Sequence, residues 1–239
     1  MNQRAILLPI ALALTMFFSQ EAGAQATQIT ACGTINQSGA YELANNLGFT
    51  TNSGACLEIT ADLVTIDLAG FSISGSGIAG PTTAIEADKT TTGIAVRNGS
   101  ISAFAAGVNL GGVDSIVEGL RVFGIGLTPS PDITSIGIAA NGIIRDNTAL
   151  NFKGFAEAGT GIVATGTVVG NFVSGNGAGM QINQGSTVIG NLAIQNSDLG
   201  IEVVCPSNVT DNTAVNTSIG PNLIFVAGTG CNSTDNLAP

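Results

Sequence analysis

Glu58 and Glu86 sit at matching places in two short apolar runs, Cys56-Leu57-Glu58-Ile59 and Ala84-Ile85-Glu86-Ala87. If these runs are neighbouring parallel strands, their outward side chains stand about 4.8 Å apart. Two carboxylates that close repel, which favours a shared proton or a shared cation. The spacing is also near the roughly 5 Å between the carboxyl groups of retaining glycosidases. Lys89 and Arg97 are the basic residues nearest in sequence, so the four form a candidate catalytic group. The plainer reading is that outward glutamates keep a strand soluble and discourage lateral association of the sheet.

A repeat must bring those carboxylates together, and the chain carries one of roughly twenty residues: a Gly-aliphatic-x-aliphatic step, a turn, a β-branched run, then Gly or Asn. Gly161-Ile162-Val163-Ala164 leads to Val168-Val169-Gly170-Asn171, and Gly179-Met180-Gln181-Ile182 leads to Val188-Ile189-Gly190-Asn191. Such a period marks units that bury their apolar faces only against each other. Strand alternation turns Leu57 and Ile59, Val108 and Leu110, Ile162 and Ala164, and Ile201 and Val203 inward. It leaves Glu58, Glu86, Asn109, Ala139, Val163, Gln181 and Glu202 facing solvent. This polar stripe makes Glu58, Glu86, Asn109, Gln181 and Glu202 candidate ligand-binding residues. The expected fold is all-β, a right-handed parallel β-helix of about eight coils with three short strands per coil.

A second alignment stacks Gly70, Asn98, Gly119, Asn147, Asn171, Asn191 and Asn212 as corner residues. Gly and Asn enter the left-handed region at low cost, and stacked Asn side chains can hydrogen-bond along the axis. Three residues further on come Ile73, Ile101, Val122, Leu150, Ser174, Ile194 and Val215, expected in the interior.

Met1-Asn2-Gln3-Arg4, the apolar stretch from Ala5 to Phe18 and Ala22-Gly23-Ala24 have the three parts of a secretory signal peptide. Residues 1–24 are expected to be removed, leaving 25–239 as one domain, with 25–55 as cap and first turn and 56–239 as regular coils. No other stretch is apolar for long enough to span a membrane. A net charge of −10 argues against nucleic acid or anionic lipid as partners, since both need a basic face. Cysteines in an exported chain read as disulfides, and position favours Cys32 with Cys56 and Cys205 with Cys231. With no CxxC spacing and no His, they do not read as a metal site. The final compartment, whether periplasm, medium or cell surface, and the oligomeric state stay open.

Cys32-Gly33 through Gly39-Ala40-Tyr41-Glu42-Leu43, then Cys56 to Asp62, then Val64-Thr65-Ile66-Asp67-Leu68-Ala69-Gly70-Phe71-Ser72-Ile73, and Val96-Arg97-Asn98-Gly99-Ser100-Ile101, resemble bacterial right-handed parallel β-helix repeat proteins. The resemblance is one of pectate-lyase-like architecture, shared by polysaccharide lyases, hydrolases, epimerases, adhesins and proteins without an assigned activity, so it does not fix function. The motifs of polygalacturonase-like enzymes, and the His that epimerase and lyase types of this fold use, do not occur here. Pectate-lyase-like chemistry, with a carboxylate cluster holding Ca²⁺ and a nearby Arg as base, is the version the chain can still house.

Two segments interrupt the period, Thr128-Pro129-Ser130-Pro131-Asp132 and Asn151-Phe152-Lys153-Gly154-Phe155-Ala156-Glu157. Insertions often wall a binding groove, and Phe152 and Phe155 are candidates to stack on a sugar, or else to fill a corner of the core. Arg97, Arg121 and Arg145 recur at a spacing of 24 but fall in different columns of the corner alignment, as surface ion-pair partners would. These features point to an exported non-catalytic β-helix, structural or surface-associated, with polysaccharide as candidate ligand. The alternative is a polysaccharide lyase or glycoside hydrolase acting on an acidic glycan.

Overall fold

The computed structural model describes residues 25–77, 80–127, 135–153, 159–226 and 229–239. The expected leader, the 128–132 insertion and Phe155 lie outside them. The described residues contain no helix, and their strands join in one sheet whose ladder pairings are parallel. One coil shows the plan. Thr160–Val169 supplies two strand segments in one run, bent near Gly166, and Phe172–Ser174 supplies the third. The next coil then lays Ala178–Ile182, Thr187–Ile189 and Leu192–Ile194 on these three in register. Repeated about eight times, this makes a parallel β-helix with three faces. Residues 27–48 already join the ladder, pairing onto Tyr41–Leu43, Leu57–Ile59, Val64–Asp67 and Ile73–Ser74.

The core is a set of stacked columns, one or two per face. On the first face the expected inward pairs, Leu57 with Ile59 through Ile201 with Val203, are all buried. Ile66, Val96, Val117, Ile144, Val168, Val188 and Val209 fill the second face's column. Each fully buried Val, Ile or Leu contributes about 1.5–3 kcal/mol. Because each coil packs only against its immediate neighbours, these contributions hold the solenoid together unit by unit.

The third face corrects the corner alignment. The left-handed residues are Gly70, Asn98 and Gly119 in the early coils but Asp146, Gly170, Gly190, Asp211 and Asp235 later. Glu118 pairs with Arg145, so Gly119 is equivalent to Asp146 and not to Asn147. Asn147, Asn171, Asn191 and Asn212 follow the bend and do not make it. A one-residue slip flips a strand's faces, so Leu150, Ser174, Ile194 and Val215 point outward, partly exposed. The interior column is Ile73, Ile101, Val122, Ala149, Val173, Ala193 and Ala214.

Turned inward, the Asn side chains form the axial ladder that stacking suggested. Each Oδ1 of Asn171, Asn191, Asn212 and Asn236 accepts from the backbone N–H and the Nδ2–H of the Asn one coil earlier, at 2.9–3.1 Å. Each Nδ2 also reaches a strand carbonyl, as Asn171 does with Ile144 at 2.9 Å. A second, shorter ladder runs at the next corner. There Asn176 bonds Asn196, and the Phe152 backbone N–H donates to Asn176 Oδ1.

Disulfides close both ends of the stack, Cys32–Cys56 and Cys205–Cys231, each linking residues about one coil apart. Closing loops of this size contributes about 3 kcal/mol per bridge. Denaturant unfolding with and without a thiol reductant is expected to show that loss, and intact mass under non-reducing conditions to show no free thiol. Unbonded Cys205 and Cys231 in the native protein would contradict the pairing.

Candidate functional site

The outward residues of the first face form a continuous column. Register pairs Thr34 with Glu58, Glu58 with Glu86, and Glu86 with Asn109. It continues through Ala139, Val163 and Gln181 to Glu202. The two candidate carboxylates are therefore adjacent rungs, as the repeat requires. Two residues further along each strand a second outward row runs beside the first, since residues i and i+2 share a face. It includes Asp88, Gly111, Asn141, Thr165 and Asn183.

Two depressions on this face take in the candidate residues. The first, of about 380 Å³, lies among Glu58, Glu86, Asp88, Lys89, Asn109 and Gly111. Glu58 Oε2 accepts from Thr34 Oγ1 at 3.2 Å. Glu86 is half-buried, and Glu58 and Lys89 are exposed. Gly111 gives the lysine its place, because a Cβ there would stand 2.9 Å from Lys89 Cγ. The second depression, of about 220 Å³, is lined by Val163, Gln181, Asn183 and Glu202. Gln181 is held at both ends of its amide. Its Oε1 accepts from Thr160 Oγ1 at 3.1 Å and its Nε2 donates to Glu202 Oε2 at 3.3 Å.

Asn141, Thr165 and Asn183 escaped the sequence reading, which followed only the middle residue of each strand. The signal was a polar residue two positions after Ala139, Val163 and Gln181. Asn183 Nδ2 donates to Thr165 Oγ1 at 3.0 Å, and Asn141 Nδ2 to the Gly112 carbonyl at 3.0 Å. Among the described residues neither amide oxygen receives a hydrogen bond, so both stay open as acceptors.

Two expected site residues stand elsewhere. Arg97 lies on the second face, where its Nε donates to Asp67 Oδ2 at 3.0 Å. It shares a charge column with Asp67, Glu118 and Arg145, and Arg145 pairs with Glu118. Arg97 and Arg145 thus occupy one column, against expectation, while Arg121 stacks separately between Ser100 and Thr148. Both ion pairs are solvent-accessible and contribute less than about 1 kcal/mol each. Phe152 is fully buried, occupying the position where the next coil has Asn176, and presents no ring to a sugar. Among the described residues no group of three or more His, Cys, Asp or Glu could hold a metal ion. No described helix is long and apolar enough to cross a membrane.

No protein-family model matches the chain, and no curated protein does. Among solved structures it is similar to the A-module of the mannuronan C-5 epimerase AlgE6 of Azotobacter vinelandii. The identity is 10% and the TM-score 0.32, over 86% of this chain and 88% of that one.

Proposed function

We propose that this chain is an exported, non-catalytic β-solenoid that binds polysaccharide along its first face. The observation that carries this reading is the continuity of one outward column through both depressions. A site drawn out over successive coils suits a linear polymer, whereas a small metabolite calls for one enclosed pocket. Disulfides form and persist in oxidising compartments, so the two bridges suggest an extracellular or periplasmic location.

The in-register pair Glu58 and Glu86, with Lys89 in the same depression, favours a second reading as a lyase or hydrolase. It lacks the arginine expected as its base, since Asp67 holds Arg97 on another face. The non-catalytic reading predicts retarded migration in native gels cast with polysaccharide, with no unsaturated or reducing ends released. Glu86→Gln should leave that retardation within about twofold, as expected of one half-buried contact among many along the column. Turnover of any polysaccharide that disappears in Glu86→Gln would instead establish the enzyme.

A further inference from the structure

The proposed site has a charge pattern of its own. Carboxylates occupy its ends, Glu58, Glu86 and Asp88 in the first depression and Glu202 in the second. Between them, from Asn109 to Gln181, no described residue of either outward row is charged. The middle of the track instead pairs a small apolar floor, Ala139 and Val163, with a rail of amides and hydroxyls, Asn141, Thr165 and Asn183. The rail has donors and acceptors for hydroxyl groups, including the two open amide oxygens. The floor accepts the apolar face of a ring.

Resting on the polysaccharide reading, we infer that the ligand is an uncharged linear glycan lying lengthwise along the first face and bridging both depressions. Hydroxyls bond the rail and the ring faces rest on Ala139 and Val163. An anionic glycan is disfavoured on two grounds. The flanking carboxylates repel it, and the middle of the track provides no cation to pair with it. Among the described residues of the track Lys89 alone supplies positive charge, and it lies among three carboxylates. From Glu86 to Glu202 the column takes five coil steps, about 24 Å at the usual strand spacing, so an oligomer must exceed that span to use the whole track.

Calorimetric titration with neutral manno-, xylo- and cello-oligosaccharides from dimer to octamer, alongside oligogalacturonates and oligomannuronates, tests this. Affinity is expected for one or more neutral series and to rise with length until the span is covered. Val163→Arg, which places a charge on the floor, should weaken binding about tenfold or more. Asn183→Ala, which removes one rail contact, should weaken it by less, with both variants melting like the parent. Preference for the acidic series, or equal affinity for dimer and octamer, would overturn this inference and leave polysaccharide binding standing. Silence with both series, together with unretarded migration in every polysaccharide gel, would overturn both.

Discussion

Gly179→Ala is expected to destabilise the protein by about 3 kcal/mol or more, at the upper end of what overpacking a filled interior costs. A Cβ at this position would lie 2.3 Å from the Gly200 carbonyl oxygen, 2.8 Å from Asn196 Nδ2 and 3.1 Å from a Val173 methyl. The nearest of these is backbone, which no rotamer change can move. The same obstacle recurs along a column of glycines, one per coil. A Cβ on Gly107, Gly137, Gly161 or Gly200 would meet the carbonyl oxygen of the next coil at 2.2–2.7 Å. Each coil thus rests directly on the backbone of its neighbour. Gly48 has open space around its Cβ position, so Gly48→Ala should change stability by less than about 0.5 kcal/mol. Urea unfolding of the two variants measures the contrast, and equal effects would contradict the account of the column.

Asn171→Ala is expected to cost about 3 kcal/mol, since each buried polar group left without its partner costs roughly 1–3 kcal/mol. The Asn147 backbone N–H and one Nδ2 bond lose their acceptor, and the Ile144 carbonyl loses a donor. Both asparagines are almost wholly buried, so water does not replace the missing partner. Asn236, the last rung, is partly exposed, and Asn236→Ala should cost less than half as much. Because each coil contacts only its neighbours, the loss should first appear locally. Hydrogen exchange in Asn171→Ala should speed up in the coils carrying Asn147 and Asn191 before the N-terminal coils respond. Uniform acceleration along the chain would show that the ladder is not a local support.

The period-two faces of the first strand were legible in the sequence because Leu57, Ile138, Met180 and Ile201 alternate with polar or small residues. The cysteine pairs were legible from their place at the ends of the repeat. What slipped was the corner. Gly119 and Asn147 look interchangeable as bend formers, yet one makes the bend and the other follows it, and only the register of Glu118 against Arg145 separates them. The second Asn ladder was hidden because Asn176 and Asn196 fall outside the corner alignment, and only their burial shows them inside. Of the two readings of Phe152, sugar platform or corner of the core, burial supports the second, since the ring is enclosed at a ladder position. In the site, the carboxylate column followed from the repeat alone. Asn141, Thr165 and Asn183 did not, because they stand two positions past the middle residue of the Gly-aliphatic-x-aliphatic step, beyond the repeat unit that defines the column.

The claim that the first face is the binding surface is tested most directly by hydrogen exchange of the whole chain with and without a neutral polysaccharide that retards it in native gels. Protection is predicted in peptides spanning Ile138–Gly142, Ile162–Gly166 and Met180–Asn183, with the third-face strands Phe172–Ser174 and Leu192–Ile194 unchanged. Protection confined to the third face, or none under saturating polysaccharide, would contradict it.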